Sequence, residues 1–268
     1  MMDEETRTLY SIKRVSELTG VLGVTLRAWE RRYGLLKPRR NDKGHRLYTA
    51  EDVNRIRRIL AWLNQGVAIS KVKALLDAMP VPEQTADTLP ELEQLLAAIQ
   101  ALDAEKALRQ LEGAMKAYPH DTFVDRLVLP LEFELAARPR PAGTLEEALW
   151  RQVVVRACAP LMRKSVPRHA EPVWVVTLDP RAETLGWFTA LGWHLKQYRV
   201  TQFSQIGQDI EALRALMMQA KHRLVLVGHQ PLPEAALELV RGARDAGRDV
   251  GVLGGLLPWL TARLESAS

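Results

Sequence analysis

The sequence feature that most constrains the fold is a short apolar and basic segment at residues 25–36, Thr-Leu-Arg-Ala-Trp-Glu-Arg-Arg-Tyr-Gly-Leu-Leu. Leu26, Trp29 and Tyr33 recur at spacings of three and four, which predicts a helix with one buried face. Gly34 follows this stripe and is predicted to cap the helix. The remaining surface is rich in arginine. A helix of this kind suits the major groove of DNA, where arginine binds phosphates or the O6/N7 edge of guanine.

A second short helix is predicted immediately upstream, at residues 11–20. Val15 and Leu18 would form its inner side, and Gly20 would supply a tight turn before the basic helix. Two short helices at this separation have the spacing of a helix-turn-helix motif.

Residues 37–48, downstream of the basic helix, are predicted to form a β-hairpin. The cluster at 41–44, Asn-Asp-Lys-Gly, is typical of a turn, and the residues after it form the return strand. We expect Leu47 to point inward and Arg46 and Tyr48 to point outward. The hairpin would form a wing beside the basic helix.

Positive charge is concentrated at the N-terminal end of the chain. Residues 1–76 contain 16 lysines and arginines and 8 acidic residues, a net charge of +8, so that the total of +5 leaves −3 for residues 77–268. This distribution is the electrostatic footprint of a nucleic-acid-binding domain joined to a nearly neutral sensor or interaction region.

Composition and motifs exclude several other classes of protein. With 268 residues, 47% of them hydrophobic, the chain can hold two or three domains with their own cores. It contains no run of about 18 apolar residues, and its polar start predicts neither a membrane helix nor a signal peptide. The single cysteine, Cys158, fits a reducing cytoplasm. Dinucleotide, P-loop, nucleophile-elbow and zinc motifs are missing from the sequence, so we expect neither catalysis nor a metal site.

The C-terminal part changes from helical to alternating patterns. Apolar strands are predicted at 173–178, 224–228 and 250–253, with a weaker strand at 198–203 and helices between them. This alternation predicts a small, doubly wound parallel α/β domain of the flavodoxin or Rossmann kind. Ligands of such sheets bind beyond the carboxyl ends of the strands, where the carboxylates of Asp179 and Glu183 lie.

The predicted architecture is therefore multidomain, α followed by α/β. We assign residues 8–78 to a winged helix-turn-helix domain, 79–90 to a proline-containing linker, 91–168 to a four-helix bundle and 172–268 to the α/β domain.

The segments TLRAWERRYGLLKPRR and GHRLYTAEDVNRI, with the Tyr-Ser-Ile start before them, resemble the MerR family of bacterial transcription regulators. The resemblance implies a dimer that binds an inverted-repeat promoter on the nucleoid and distorts its spacer, so that RNA polymerase is affected indirectly. It places DNA contacts or their support at Thr25, Arg27, Trp29, Arg31, Arg32, Tyr33, Arg39, Arg40, His45, Arg46 and Tyr48.

The order of domains resembles the cobalamin-dependent, light-sensing branch of this family and the MlrA-like branch, whose α/β half is degenerate. The cobalamin branch carries a histidine ligand three residues before a glycine. Here Glu183 stands at the ligand position and Gly186 is kept. His229 and the pair Gly254 and Gly255 occupy other positions of the module. We therefore expect no cofactor, with cobalamin as the alternative.

Three functions stay open at this stage. The first is a sequence-specific DNA-binding regulator whose C-terminal half serves dimerisation or signal sensing. The second is a repressor that binds cobalamin or another ligand and senses light or a small molecule. The third treats the α/β half as a protein-interaction module alone.

Overall fold

The computed structural model describes residues 9–64, 67–76, 88–204, 206, 209–219, 221–230 and 234–253. Among the helices formed by these residues, none combines the length and the apolar character that a bilayer crossing requires. The sequence pattern also predicts a last helix near 256–264, which lies outside the described residues.

The N-terminal domain begins with the predicted helix-turn-helix. Its helices are α1 (Ile12–Thr19) and α2 (Gly23–Arg31). The Ser11 side chain caps α1 by accepting a backbone N–H in the first turn, and Gly20 ends α1 with φ +72°. Gly34, just beyond α2, also has a positive φ of +59°, which confirms its predicted role at the end of this helix.

A three-stranded antiparallel sheet forms the wing. Its strands are β1 (Tyr10–Ser11), β2 (Arg39–Arg40) and β3 (Arg46–Tyr48), and β3 lies in the centre. The hairpin of β2 and β3 confirms the prediction. The sequence pattern does not indicate β1, because two residues cannot show an alternation.

Two further helices, α3 (Ala50–Asn64) and α4 (Ile69–Leu75), complete this domain. At the start of α3, Asp52 Oδ2 accepts the N–H of Thr49 at 2.8 Å, and Thr49 Oγ1 accepts the N–H of Asp52 at 3.2 Å. This reciprocal pair is a capping box, which the spacing of Thr49 and Asp52 in the sequence predicts, and it directs the chain from the wing into α3.

Helices dominate the next part of the chain. They are α5 (Glu91–Gln100), α6 (Ala104–Ala117), α7 (His120–Phe123), α8 (Leu129–Ala136) and α9 (Ala142–Met162). Residues 124–128 form a π-helical turn that joins α7 to α8.

A proline shapes the joint between α7 and α8. Pro130 has no N–H to offer the carbonyl of Arg126, four residues earlier. That carbonyl instead accepts the N–H of Leu89 at 2.8 Å, and Leu89 is buried. The hydrogen bond attaches the segment that leads into α5 to the joint between α7 and α8.

The C-terminal sheet has four parallel strands in the order β5-β4-β6-β7. The strands are β4 (Pro172–Thr177), β5 (Arg199–Phe203), β6 (Arg223–Val227) and β7 (Val250–Leu253), and the helices between them are α10 (Glu183–Leu195), α11 (Ile210–Gln219) and α12 (Glu234–Asp245). Val176, Leu224 and Leu226 pack with residues of α11 and α12 on one face. Because strand residues alternate, the other face of β4 meets α10, which makes the sheet doubly wound as predicted.

The density of internal contacts divides the chain between Glu147 and Ala148, within α9. The first compact unit contains the winged domain and the helices up to the start of α9. The second contains the rest of α9 and the α/β domain. The domain boundaries given above remain a prediction.

Candidate nucleic-acid interface

Helix α2 presents arginines on its outward side. Arg27 and Arg31 lie one turn apart and are exposed, and Arg32 is exposed just beyond the helix. The inward side of α2 consists of the buried residues Thr25, Leu26 and Trp29. The helix therefore has the two faces that the sequence pattern predicts, one packed and one cationic.

Two of the positions predicted to contact DNA or to support such contacts are buried in α2. Thr25 exposes 1% of its surface and Trp29 exposes none, so neither side chain is presented to an external ligand. Trp29 serves as an anchor, because its Nε1–H donates to the carbonyl oxygen of Ala117 at 2.7 Å. The hydrogen bond joins the rear of α2 to the end of α6, a contact that no local sequence pattern indicates.

A second polar contact also joins the winged domain to the helical region. The hydroxyl of Tyr118 accepts the N–H of Ile69, at the start of α4, at 3.2 Å and donates to the carboxylate of Glu91 at 2.8 Å. Burial and the nearby Glu91 carboxylate raise the pKa of Tyr118, so the hydroxyl stays a donor. Tyr33, at the end of the helix-turn-helix, is partly buried, and burial raises its pKa.

The wing adds exposed basic side chains beside α2. Arg39, Arg40 and His45 are exposed on the hairpin. The turn between the strands is held by Asn41, whose Oδ1 accepts the N–H of Lys43 at 3.1 Å and that of His45 at 2.8 Å. This Asx-type turn sets the positions of the arginines on both sides of it.

Glu30 connects the wing to α2, a role that the sequence reasoning missed. Its Oε1 lies 3.3 Å from Arg40 Nη2, and its Oε2 forms a short ion pair with Arg46 Nε. The hydrogen bond that Arg46 donates to Glu30 raises the pKa of Arg46. The sequence does contain an indication of this role, because Glu30 is the one acidic residue among the arginines of α2, and such a residue is expected to form ion pairs with nearby cations.

The predicted orientation of the return strand is wrong at Tyr48. Its side chain is fully buried, whereas Leu47 and Arg46 are partly exposed. The reason is β1, since Tyr48 pairs with Tyr10 at the centre of the three-stranded sheet. Desolvation by burial raises the pKa of Tyr48 to about 12. Tyr48 therefore supports the wing from within instead of contacting DNA.

In the α/β domain, the crevice beyond β4 and β6 is occupied by a side chain of the protein itself. Asp179 is 4% exposed. Its Oδ2 accepts the N–H of His229 at 2.8 Å and that of Gln230 at 3.4 Å, and its Oδ1 accepts those of Arg181 at 3.1 Å and Ala182 at 3.2 Å. One carboxylate thus binds together the loops that follow the two central strands.

Three of the predicted cofactor residues, Glu183, Gly186 and His229, lie among the described residues of this domain. Glu183 is the first residue of α10, and His229 binds Asp179 through its backbone. A Cβ at Gly186 would lie 2.3 Å from Thr177 Oγ1, so close packing of α10 on β4 is sufficient reason for this glycine. Gly254 and Gly255 lie outside the described residues.

Comparisons with known proteins agree with this geometry. Residues 10–79 match the family model described as MerR HTH family regulatory protein. The chain is 31% identical over 253 residues to the HTH-type transcriptional regulator MlrA of Salmonella typhimurium and 30% identical over 250 residues to MlrA of Escherichia coli. Each match covers 92% of this chain and 99% of the relative.

A third relative is named as a transcriptional repressor. The HTH-type transcriptional repressor CarA of Myxococcus xanthus is 30% identical over 210 residues, which cover 75% of this chain and 69% of CarA. The similarity to MlrA runs through the winged domain, the helical region and the α/β domain alike. On these grounds the chain belongs to the MerR family of HTH-type, DNA-binding transcriptional regulators.

Proposed function

We propose that this regulator binds an inverted-repeat promoter site as a homodimer, on the DNA of the bacterial nucleoid, and distorts the spacer between the promoter elements. The observation that carries the proposal is the row of exposed arginines on α2 with a second, exposed set on the wing. One helix and one wing contact only a few base pairs, whereas two copies double the contact area and read two half-sites.

The side chains divide into two groups in this proposal. Arg27 and Arg31 enter the major groove, where a guanidinium binds a guanine edge or a phosphate. Arg39, Arg40 and His45 hold the flanking backbone and so set the position of α2 on the duplex. Four further residues hold α2 and the wing in place without contacting DNA: Trp29, Glu30, Arg46 and Tyr48.

Distortion of the spacer is the mechanism that the family implies. Two α2 helices held at a fixed separation fit only a duplex whose half-sites face them, and bending or untwisting the DNA brings the half-sites into place. The energy of this deformation depends on the sequence of the spacer, so specificity extends to base pairs that the protein does not touch. RNA polymerase then responds to the changed spacer, without a contact to the regulator.

For the α/β domain we propose a role in oligomerisation or in sensing a signal other than cobalamin. The residues present do not fit that cofactor, since Glu183 replaces the imidazole and Asp179 fills the crevice with a carboxylate bound to four backbone N–H groups. Displacing Asp179 would remove the side-chain acceptor of these buried or partly buried donors, at a cost of about 1–3 kcal/mol for each donor that water does not reach.

DNA binding is tested with the full chain and duplexes selected from a random pool. We expect two copies per selected site by mass photometry, a palindromic consensus, and a bend that a circular-permutation gel assay detects. Arg31→Ala should weaken binding, whereas Arg109→Ala, which removes an exposed arginine from α6, should not. One copy per site, or a loss of similar size in both variants, would contradict the proposal.

The cofactor question is settled by native mass spectrometry of the protein purified in dim light. We expect the mass of the polypeptide or of its dimer without an added group. A mass excess equal to a cobalamin would overturn our proposal for the α/β domain and favour the ligand-sensing repressor. If the Asp179→Ala variant carried this added mass and the wild-type protein did not, the Asp179 side chain would be what prevents cobalamin from binding.

A further inference from the structure

The outward face of α2 contains one apolar residue beside its arginines. Val24 lies in the first turn of the helix and exposes 45% of its surface. With Arg27 and Arg31 it forms the series i, i+3, i+7, so the three side chains share one face. This face is opposite the buried residues of α2.

The position of Val24 separates it from an ordinary exposed apolar side chain. A single such residue on a protein surface needs no explanation, but Val24 stands on the helix that carries the exposed arginines, near its N-terminal end. The N-terminal residues of a recognition helix are those that contact base edges. A valine has no hydrogen-bonding group with which to bind a phosphate.

The chemistry of the major groove restricts what Val24 can recognise. Guanine, cytosine and adenine present hydrogen-bonding atoms there, whereas thymine also presents a methyl group at C5. An apolar side chain in the groove is complementary to that methyl group. Val24 and Arg27 are three residues apart, about 4.5 Å along the helix axis, which is close to the separation of neighbouring base pairs.

We propose that Val24 is a specificity-determining residue that packs against the methyl group of a thymine, one base-pair step from the contact of Arg27. This inference rests on the proposed DNA binding and adds a base identity to it. Each half-site then contains one thymine whose methyl group the protein reads.

The test removes the methyl group from the DNA. In the selected operator each thymine is replaced in turn by deoxyuridine, and affinity is measured by fluorescence anisotropy at one salt concentration. A methyl-sized group is worth about 0.8 kcal/mol when buried, so we expect about a fourfold loss for the wild-type protein at one position in each half-site. In the Val24→Ala variant, replacing that same thymine should leave the affinity almost unchanged, while the effects at all other thymines stay as in the wild type.

Two controls make the result specific. Val155→Ala removes an exposed valine outside the winged domain and should keep the wild-type deoxyuridine profile. Circular dichroism should show that Val24→Ala is folded, as expected for an exposed position. A Val24→Ala profile equal to that of the wild type, or a wild-type profile without a sensitive thymine, overturns this inference alone. A wild-type protein that selects no duplex overturns the proposed function together with it.

Discussion

Glu30 and Asp179 are both carboxylates within a predicted site. The cations near Glu30 stay accessible from outside, whereas the backbone groups around Asp179 are taken up by hydrogen bonds to its side chain. Glu30 lies at the surface of the winged domain, exposed by 17%, and pairs with Arg40 and Arg46. Asp179 is buried and binds four backbone N–H groups. The first arrangement orients cations that an external polyanion can still reach, while the second closes a crevice.

The difference shows two roles for a carboxylate. It can orient cations for an external anion, or it can itself accept the hydrogen bonds of the groups around it. Around Glu30, the guanidinium groups of Arg27, Arg31 and Arg39 remain exposed to an external anion such as phosphate. A buried carboxylate with every hydrogen bond made is costly to displace. The winged domain accordingly presents exposed cations to an external ligand, whereas the loops beyond β4 and β6 are joined by hydrogen bonds to Asp179.

The largest effect should follow the removal of Asp179. Asp179→Ala removes the side-chain acceptor of four backbone N–H groups, of which that of Ala182 is buried and the other three are partly buried, and we expect the free energy of unfolding to fall by about 3 kcal/mol. Denaturant titration of the full chain measures this change. The matched control is Asp209→Ala, which removes an exposed cap of Ala212 at 2.9 Å and should cost about 1 kcal/mol. Equal losses would contradict the central place given to Asp179.

The next effect tests the open arginines of the winged domain. Arg27→Ala should weaken binding to the selected operator by about 1–3 kcal/mol if the guanidinium reads a base edge. Anisotropy titrations on operator and on random duplexes measure the difference. Arg27→Lys keeps the charge and loses the two-pronged geometry, so it should recover binding to random DNA more fully than binding to the operator. An equal loss of Arg27→Ala on both duplexes would make this residue a phosphate contact.

A smaller effect should appear at Tyr118, whose buried hydroxyl joins the helical region to α4 of the winged domain. Tyr118→Phe removes the acceptor of the Ile69 N–H and the donor to Glu91. We expect unfolding to become easier by about 1–2 kcal/mol. Tyr198→Phe, which keeps its ring contact with Trp193, serves as the control and should change stability by less than about 0.5 kcal/mol. A similar loss in both variants would indicate a general effect of losing a hydroxyl.

The smallest effect distinguishes paired from exposed arginines within the wing. Arg39→Ala should reduce the salt dependence of DNA binding by about one unit of slope if Arg39 holds one phosphate. Arg46→Ala should change the slope less, because Glu30 already neutralises this guanidinium. Binding constants at several salt concentrations give both slopes. A full unit lost in Arg46→Ala would mean that Arg46 leaves Glu30 to bind phosphate.

Much of the fold could be predicted from local patterns in the sequence. The turn glycines Gly20 and Gly34 mark the ends of two helices because a positive φ suits glycine. The capping box at Thr49 and Asp52 and the strands of the α/β domain were placed by the same local logic. Such features depend on neighbours within a few residues, which the sequence displays directly.

What the sequence by itself determined is the order of the elements, the basic character of the N-terminal domain and its family pattern. The tertiary structure decided which of the predicted site residues are accessible. Tyr48 is buried because β1 adds a strand beside it, and Trp29 is held by Ala117, 88 residues away in the chain. Asp179 meets His229 across 50 residues. Burial and hydrogen bonding depend on groups that only the folded chain brings together, and local periodicity contains no record of them.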